Sequence, residues 1–216
     1  MFRLRNRKKP VIAWVEGAVA GAGIALAMSC DFSIIGESSK CVFAFINLGL
    51  VPDSGAVCLV TKAVGPARAT DLFMSGRVFT GREGADWGLF TEDVPTEQLE
   101  DTVKHYIKKY AKGPTQAYVS IKTLINQAQY ADFMMSVQNE LDCQGVCECT
   151  EDFKEAVNGF IYGHYIRLFL VRQARRFFVV SRRRKQINHV LMYLTVKSSI
   201  ATKKSSPHDN IIVSFN

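Results

Sequence analysis

The chain has 216 residues, 48% hydrophobic and 22% charged, which fits one soluble globular domain with an appendage. Its net charge of +7 is unevenly spread: residues 161–216 hold eleven Lys/Arg against Asp209 alone, a net +10, which leaves −3 for residues 1–160. That split excludes a uniformly basic, nucleic-acid-type body, and six cysteines scattered through apolar or helical contexts in a chain this long exclude a secreted disulfide framework.

Reduced thiols point to a cytoplasmic protein, and "MFRLRNRKKP" has basic residues without the apolar core and cleavage site of a signal peptide. "PVIAWVEG" then reads as a short buried strand ending in a turn. Residues 11–30 are nearly uncharged and about as long as a membrane span, yet Glu16 interrupts them. Gly17, Gly21 and Gly23 divide the run into strand, loop and helix. "DFSIIG" is the next strand and "CVFAF" a third extended segment. "GAVCLVTKAVG" has helical apolar spacing and stops at Gly65, and "PARATDLFMSG" starts a helix at Pro66. "TGREGADWG" is a short helix capped by Thr80, and "LFTEDV" an edge-like strand. Four helices follow, over "TEQLEDTVKHYIKKYAKG", "TQAYVSIKTLINQAQ", "ADFMMSVQNELDCQGVCEC" and "TEDFKEAVNGF", the last capped by Thr150. The organisation is an α/β core over residues 1–94, a helical region over 95–160, and a divergent basic tail over 161–216 that is expected to be poorly ordered.

Two segments offer chemistry. The glycine loop "GAVAGAG" lies between a strand and a helix, where outward N–H groups can hold a phosphate or a developing oxyanion. The third glycine of a dinucleotide fingerprint is absent after Gly21-Ala22-Gly23, and tight strand–helix packing explains the glycines equally well. In "NLGLVPDSGAV", Asp53 follows Pro52 at the end of an apolar run. It reads as a helix cap or as a proton carrier. Cys143, Cys147 and Cys149 lack metal-ligand spacing and a nearby histidine, so no metal is expected. His105 reads as solvated, and Trp14 and Trp87 as core.

Four blocks in series, "KPVIAWVEGAVAGAGIALAMSCDFSIIGES", "FAFINLGLVPDSGA", "VGPARATDLFMSGRVFTGREGADWGL" and "CTEDFKEAVNGF", resemble the crotonase superfamily, the enoyl-CoA hydratases and isomerases, over roughly residues 8 to 160. The resemblance implies an α/β fold: a ββα spiral, here partial, followed by helices that assemble trimers or hexamers. It implies an acyl-CoA thioester as substrate, with coenzyme A part of that substrate and no separate cofactor. Two backbone N–H groups of the family hold the thioester oxygen of an enolate. One maps to Ala22, between Gly21 and Gly23. The other belongs to the family's N-terminal half, for which this sequence shows no match, so the chain is read as partial and its catalysis as reduced or lost.

The family's hydratases use two glutamates, and the matching positions here are Ala25 and Phe45, which carry no proton. Asp53 falls where the isomerases place their acid. "LGLVPDSG" looks most like the phenylacetate-pathway branch, the ring-epoxide isomerases acting on an arylacetyl-CoA. The resemblance therefore implies a proton shift by Asp53, an oxyanion site at Gly21, Ala22 and Gly23, and an acyl pocket of Phe45, Ala25 and Leu50. Two other readings stay open: a non-catalytic fragment or interaction protein with exposed sheet edges, and a nucleic-acid or membrane-surface binder acting through "RQARRFFVVSRRRK".

Overall fold

The computed structural model describes residues 1–161 and 211–215, the latter by backbone alone. After a short helix α1 (Phe2–Arg5), the chain alternates between two small sheets. Strand β1 (Val11–Val15) enters the first sheet, β2 (Ala18–Ala20) the second, and helix α2 (Ala22–Met28) follows. The next turn repeats the pattern with β3 (Phe32–Gly36), β4 (Lys40–Val42) and the long helix α3 (Ala56–Ser75). A third runs through β5 (Val78–Thr80), α4 (Gly81–Asp86) and β6 (Glu92–Val94). This is a ββα spiral. Helices α5 (Leu99–Ala111), α6 (Thr115–Tyr130), α7 (Phe133–Glu148) and α8 (Glu151–Ile161) form the annex.

The first sheet has the order β6-β3-β1-β7 and its pairings are parallel, with Ile12 opposite Phe32 and Val15 opposite Ile35. Helices cover both faces, which is why "VIAWV" is a continuous apolar run rather than an alternating one. Val11, Ala13 and Val15 point into the main core with Ile24, Phe43, Leu59 and Phe79. Ile12 points the other way, to a smaller core with Ile34, Leu99 and Val103 under α5.

Several expectations are met in detail. Thr80 and Glu83 form a reciprocal capping box at α4. The Thr150 hydroxyl accepts the Phe153 N–H at 3.2 Å at the start of α8. Gly65, with a non-helical φ of 77° and ψ of 164°, breaks α3 into two helical segments, and Pro66 opens the second, as expected. β6 lies at the sheet edge. His105 is exposed, whereas Trp14 and Trp87 are half-buried against the two cores.

Two differences matter for the site. "CVFAF" is not extended throughout: the strand stops at Val42, and Ala44–Leu48 form a 3-10 helix closed by Gly49. Phe43 is fully buried, edge-on to Phe73 at 4.9 Å, and that anchor turns the chain. The second difference concerns the tail. Residues 162–210 and 216, including "RQARRFFVVSRRRK", lie outside the described residues. Ile211–Phe215, however, form β7, a parallel strand along the outer edge of β1 with Val11 opposite Ile211 and Val15 opposite Phe215. This corrects two expectations: the edge of β1 is not bare, and this part of the tail is strand. A β-branched run, Ile211-Ile212-Val213, suits an unpaired sheet edge. No helix among the described residues is long and apolar enough to cross a membrane.

Candidate active site

The glycine loop leaves β2 and turns at Gly21, whose φ of +50° favours glycine. A Cβ there would also press on the Phe45 ring at 3.2 Å, so the loop and the 3-10 helix lie in contact. The Gly21 N–H donates to the Val42 carbonyl at 2.9 Å, tying the loop to β4. Ala22 opens α2, so its N–H is among the first-turn donors that a helix cannot satisfy internally. Gly23 packs on Val19, where a Cβ would lie 3.1 Å from Cγ2. Ala25 is fully buried in the main core, one turn further in. Phe45 is half-buried against that core, and the Leu50 N–H returns to its carbonyl at 3.0 Å. Gly21, Phe45 and Leu50 are thus physically linked.

Asp53 is half-buried just beyond Leu50. Its carbonyl accepts the Ala56 N–H at 3.0 Å, closing a turn whose two central residues, Ser54 and Gly55, have φ of 61° and 81°. Positive φ at both positions marks a type I′ turn. Serine there costs of order 1–2 kcal/mol, and such strain persists only where the surroundings impose it. The imposing partners come from α7. The Glu140 carboxylate is 5% exposed and accepts the Gly55 N–H at 2.6 Å and the Val57 N–H at 2.9 Å. The Phe133 ring packs directly on Gly55, leaving no room for a Cβ.

This arrangement corrects the helix-cap reading of Asp53. The residue capping α3 is Gly55, and the orphan N–H groups of that helix start are taken by Glu140. The Asp53 side chain takes no part, and its Oδ1 is buried with no hydrogen-bond partner among the described residues. Burial pushes the Glu140 carboxyl up, against the lowering by the Gly55 and Val57 N–H groups; the nearby Asp53 charge raises it further. Glu140 was not singled out from the sequence. Its signal was nevertheless there: Phe133, Val137 and Glu140 share one helical face by their spacing, so the acid stands on the buried side of α7.

Other candidates fall away. Burial pushes the Cys30 and Cys41 thiols up to about 12, which keeps them protonated and poorly nucleophilic. No cluster that could hold a metal occurs among the described residues. Chemically, the site offers one free carboxylate oxygen at Asp53, backbone donors at the start of α2, and an apolar wall made by Phe45 and Leu50.

Residues 1–162 match the family described as Enoyl-CoA hydratase/isomerase. A trans-2-decenoyl-[acyl-carrier-protein] isomerase of Streptococcus mutans is 33% identical over 159 residues, covering 74% of this chain and 60% of that protein. A 1,2-epoxyphenylacetyl-CoA isomerase of Escherichia coli is 35% identical over 159 residues, covering 74% of this chain and 61% of that protein. The crystal structure of an enoyl-CoA hydratase from Mycobacterium avium subsp. paratuberculosis shares the fold with a TM-score of 0.71 at 32% identity, over 74% of this chain and 65% of that one. The chain thus spans about 60% of the length of these two curated relatives.

Proposed function

Because the chain belongs to the enoyl-CoA hydratase/isomerase family, we propose that it is an isomerase of acyl-CoA thioesters in which Asp53 carries the proton. The observation behind this reading is the Asp53 carboxylate itself, which has a buried oxygen with no partner while Glu140 does the capping. With the thioester carbonyl against the Ala22 N–H, Asp53 removes a proton from the α-carbon. The electron pair moves to the carbonyl oxygen, where the backbone donor stabilises the enolate. The same carboxyl returns the proton at the γ-carbon of a 3-enoyl chain, and the double bond moves into conjugation. One carboxylate suffices and no water is consumed.

Hydration would need a second proton carrier. The two positions where the family's hydratases hold glutamates are Ala25 and Phe45 here, and both oxygens of Glu140 are engaged. The names of two relatives support isomerisation, and that of the Escherichia coli protein supports an arylacetyl-CoA as substrate. Phe45 and Leu50 then line the acyl group, with Ala25 behind them in the core. Exposed Leu124, Met134, Met135 and Leu141 on α6 and α7 support a trimer or hexamer.

Purified full-length protein is assayed with 3-enoyl-CoA, arylacetyl-CoA epoxide and crotonyl-CoA, beside Asp53→Asn. Isomerisation without hydration, lost in Asp53→Asn, is the expected result. Turnover that survives unchanged in Asp53→Asn removes Asp53 from the mechanism, and no turnover of any of the three by the folded chain removes the activity.

A further inference from the structure

At the opposite end of the α/β body, a cavity of about 420 Å³ opens between the start of β3, the Gly88–Thr91 bend and α6. None of Gly21, Ala22, Phe45, Leu50 or Asp53 lines it. Its position follows from β1: the glycine loop follows the end of that strand, whereas Asp31 accepts the Val11 N–H at its start, 2.7 Å away.

One wall is apolar. Phe32 stacks on Tyr110 with 4.4 Å between centroids, Tyr118 stands edge-on to Tyr110 at 5.8 Å, and Ile121 and Ile125 of α6 are about half exposed beside them. The polar end holds two cations with different fates. Lys122 is neutralised, since its Nζ meets Asp31 Oδ2 at 2.6 Å. Arg5 is not. Its Nε and Nη2 donate to the neutral Asn126 Oδ1 at 3.1 and 2.9 Å, and its guanidinium lies 3.7 Å over the Tyr130 ring. No carboxylate forms an ion pair with it among the described residues. Desolvation lowers the Arg5 pKa, outweighing the raising influence of Tyr130 and Asp31. The cavity therefore contains one part-buried positive charge without a contact counter-ion, a costly state that an anion relieves. Nη1 remains as a donor beside Nη2, the edge that matches a planar carboxylate. A phosphate dianion would bring more charge than one guanidinium can offset and nothing to lie along the apolar wall.

We propose that this cavity binds a small amphipathic monocarboxylate, its anionic end on Arg5 and its apolar body along Tyr110, Ile121 and Ile125. The site is independent of Asp53 and of any turnover. Octanoate is the probe, titrated into ¹⁵N-labelled full-length protein, with octanamide as the neutral isostere. Saturable shifts at Arg5, Asn126 and Lys122 are expected, with octanamide and the Arg5→Gln variant each weaker by about tenfold or more. Ile121→Glu places a repelling carboxylate on the exposed helix face and should abolish binding with the fold intact; it decides the matter should Arg5→Gln unfold. Shifts confined to the Gly21–Asp53 end, equal affinity for octanamide, binding that survives Ile121→Glu or a folded Arg5→Gln, or no saturation at millimolar octanoate would each overturn the proposal.

Discussion

The α/β body and the helical annex use burial in opposite ways. In the body, β1 and β3 are buried on both faces, and α3 sinks Ala56, Cys58, Leu59, Val60, Ala69 and Leu72 into the core. In the annex, α6 buries no residue, α7 buries only Phe133 and Glu140, and α8 only Ala156. Yet the two buried residues of α7 are the ones that hold the Asp53 turn. The annex acts on the candidate site through a few anchors rather than through bulk packing, so substitutions in it should divide sharply into damaging and silent.

The largest effect is expected at the receiving end of those anchors. Gly55→Ala adds a Cβ against Phe133 at a φ of 81°. Overpacking and left-handed backbone together cost about 2–5 kcal/mol, read by urea denaturation. Next comes Glu140→Ala, which leaves the Gly55 and Val57 N–H groups without their acceptor and should cost about 1–3 kcal/mol. Faster amide exchange at Gly55 and Val57 would locate the damage. Losses below 0.5 kcal/mol in both variants would break the comparison.

The pH dependence sharpens it. The Glu140 carboxyl is raised in the folded protein by burial, so it binds its proton more tightly folded than unfolded. Its contribution is fully present below the unfolded glutamate pKa of about 4.3 and is lost as pH rises through the folded value. Denaturation midpoints measured from about pH 4 upward should show this component in the wild type and not in Glu140→Gln. Asp31, raised by burial despite Lys122, adds a component of the same sign that persists in that variant. The smallest effect is expected on the unanchored face: Leu124→Lys, at a side chain 64% exposed, should change stability by less than about 0.5 kcal/mol. A larger loss that depends on protein concentration would mean that a second copy covers α6.

Much of the body was legible because its physics is local. A parallel strand covered on both faces reads as an apolar run, Gly21 and Gly23 mark the loop, and Thr80 with Glu83 spells a capping box. The three-residue strands β2 and β5 were too short to stand out. What stayed hidden was non-local. Asp53 read as a helix cap as readily as a proton carrier because the true acceptor, Glu140, lies 85 residues beyond Gly55. The pairing of Ile211–Phe215 with β1 joins segments 200 residues apart in register, and no neighbouring residue announces it. The Asp53 side of the site was nevertheless visible in outline, since Pro52 marks a turn ahead of the next helix. The Ser54 strain and the Phe133 contact belong to the fold alone.

The central claim is that Asp53 moves the proton. Incubating the full chain with a 3-enoyl-CoA deuterated at the α-carbon and following by NMR the loss of that label from the α-carbon as the double bond moves tests it most directly. Wild-type protein should move the label from the α-carbon, in part to the γ-carbon, and Asp53→Asn should slow that loss by about 10²–10⁴-fold with its fold intact. Loss of the α-label at an equal rate in Asp53→Asn would contradict the account.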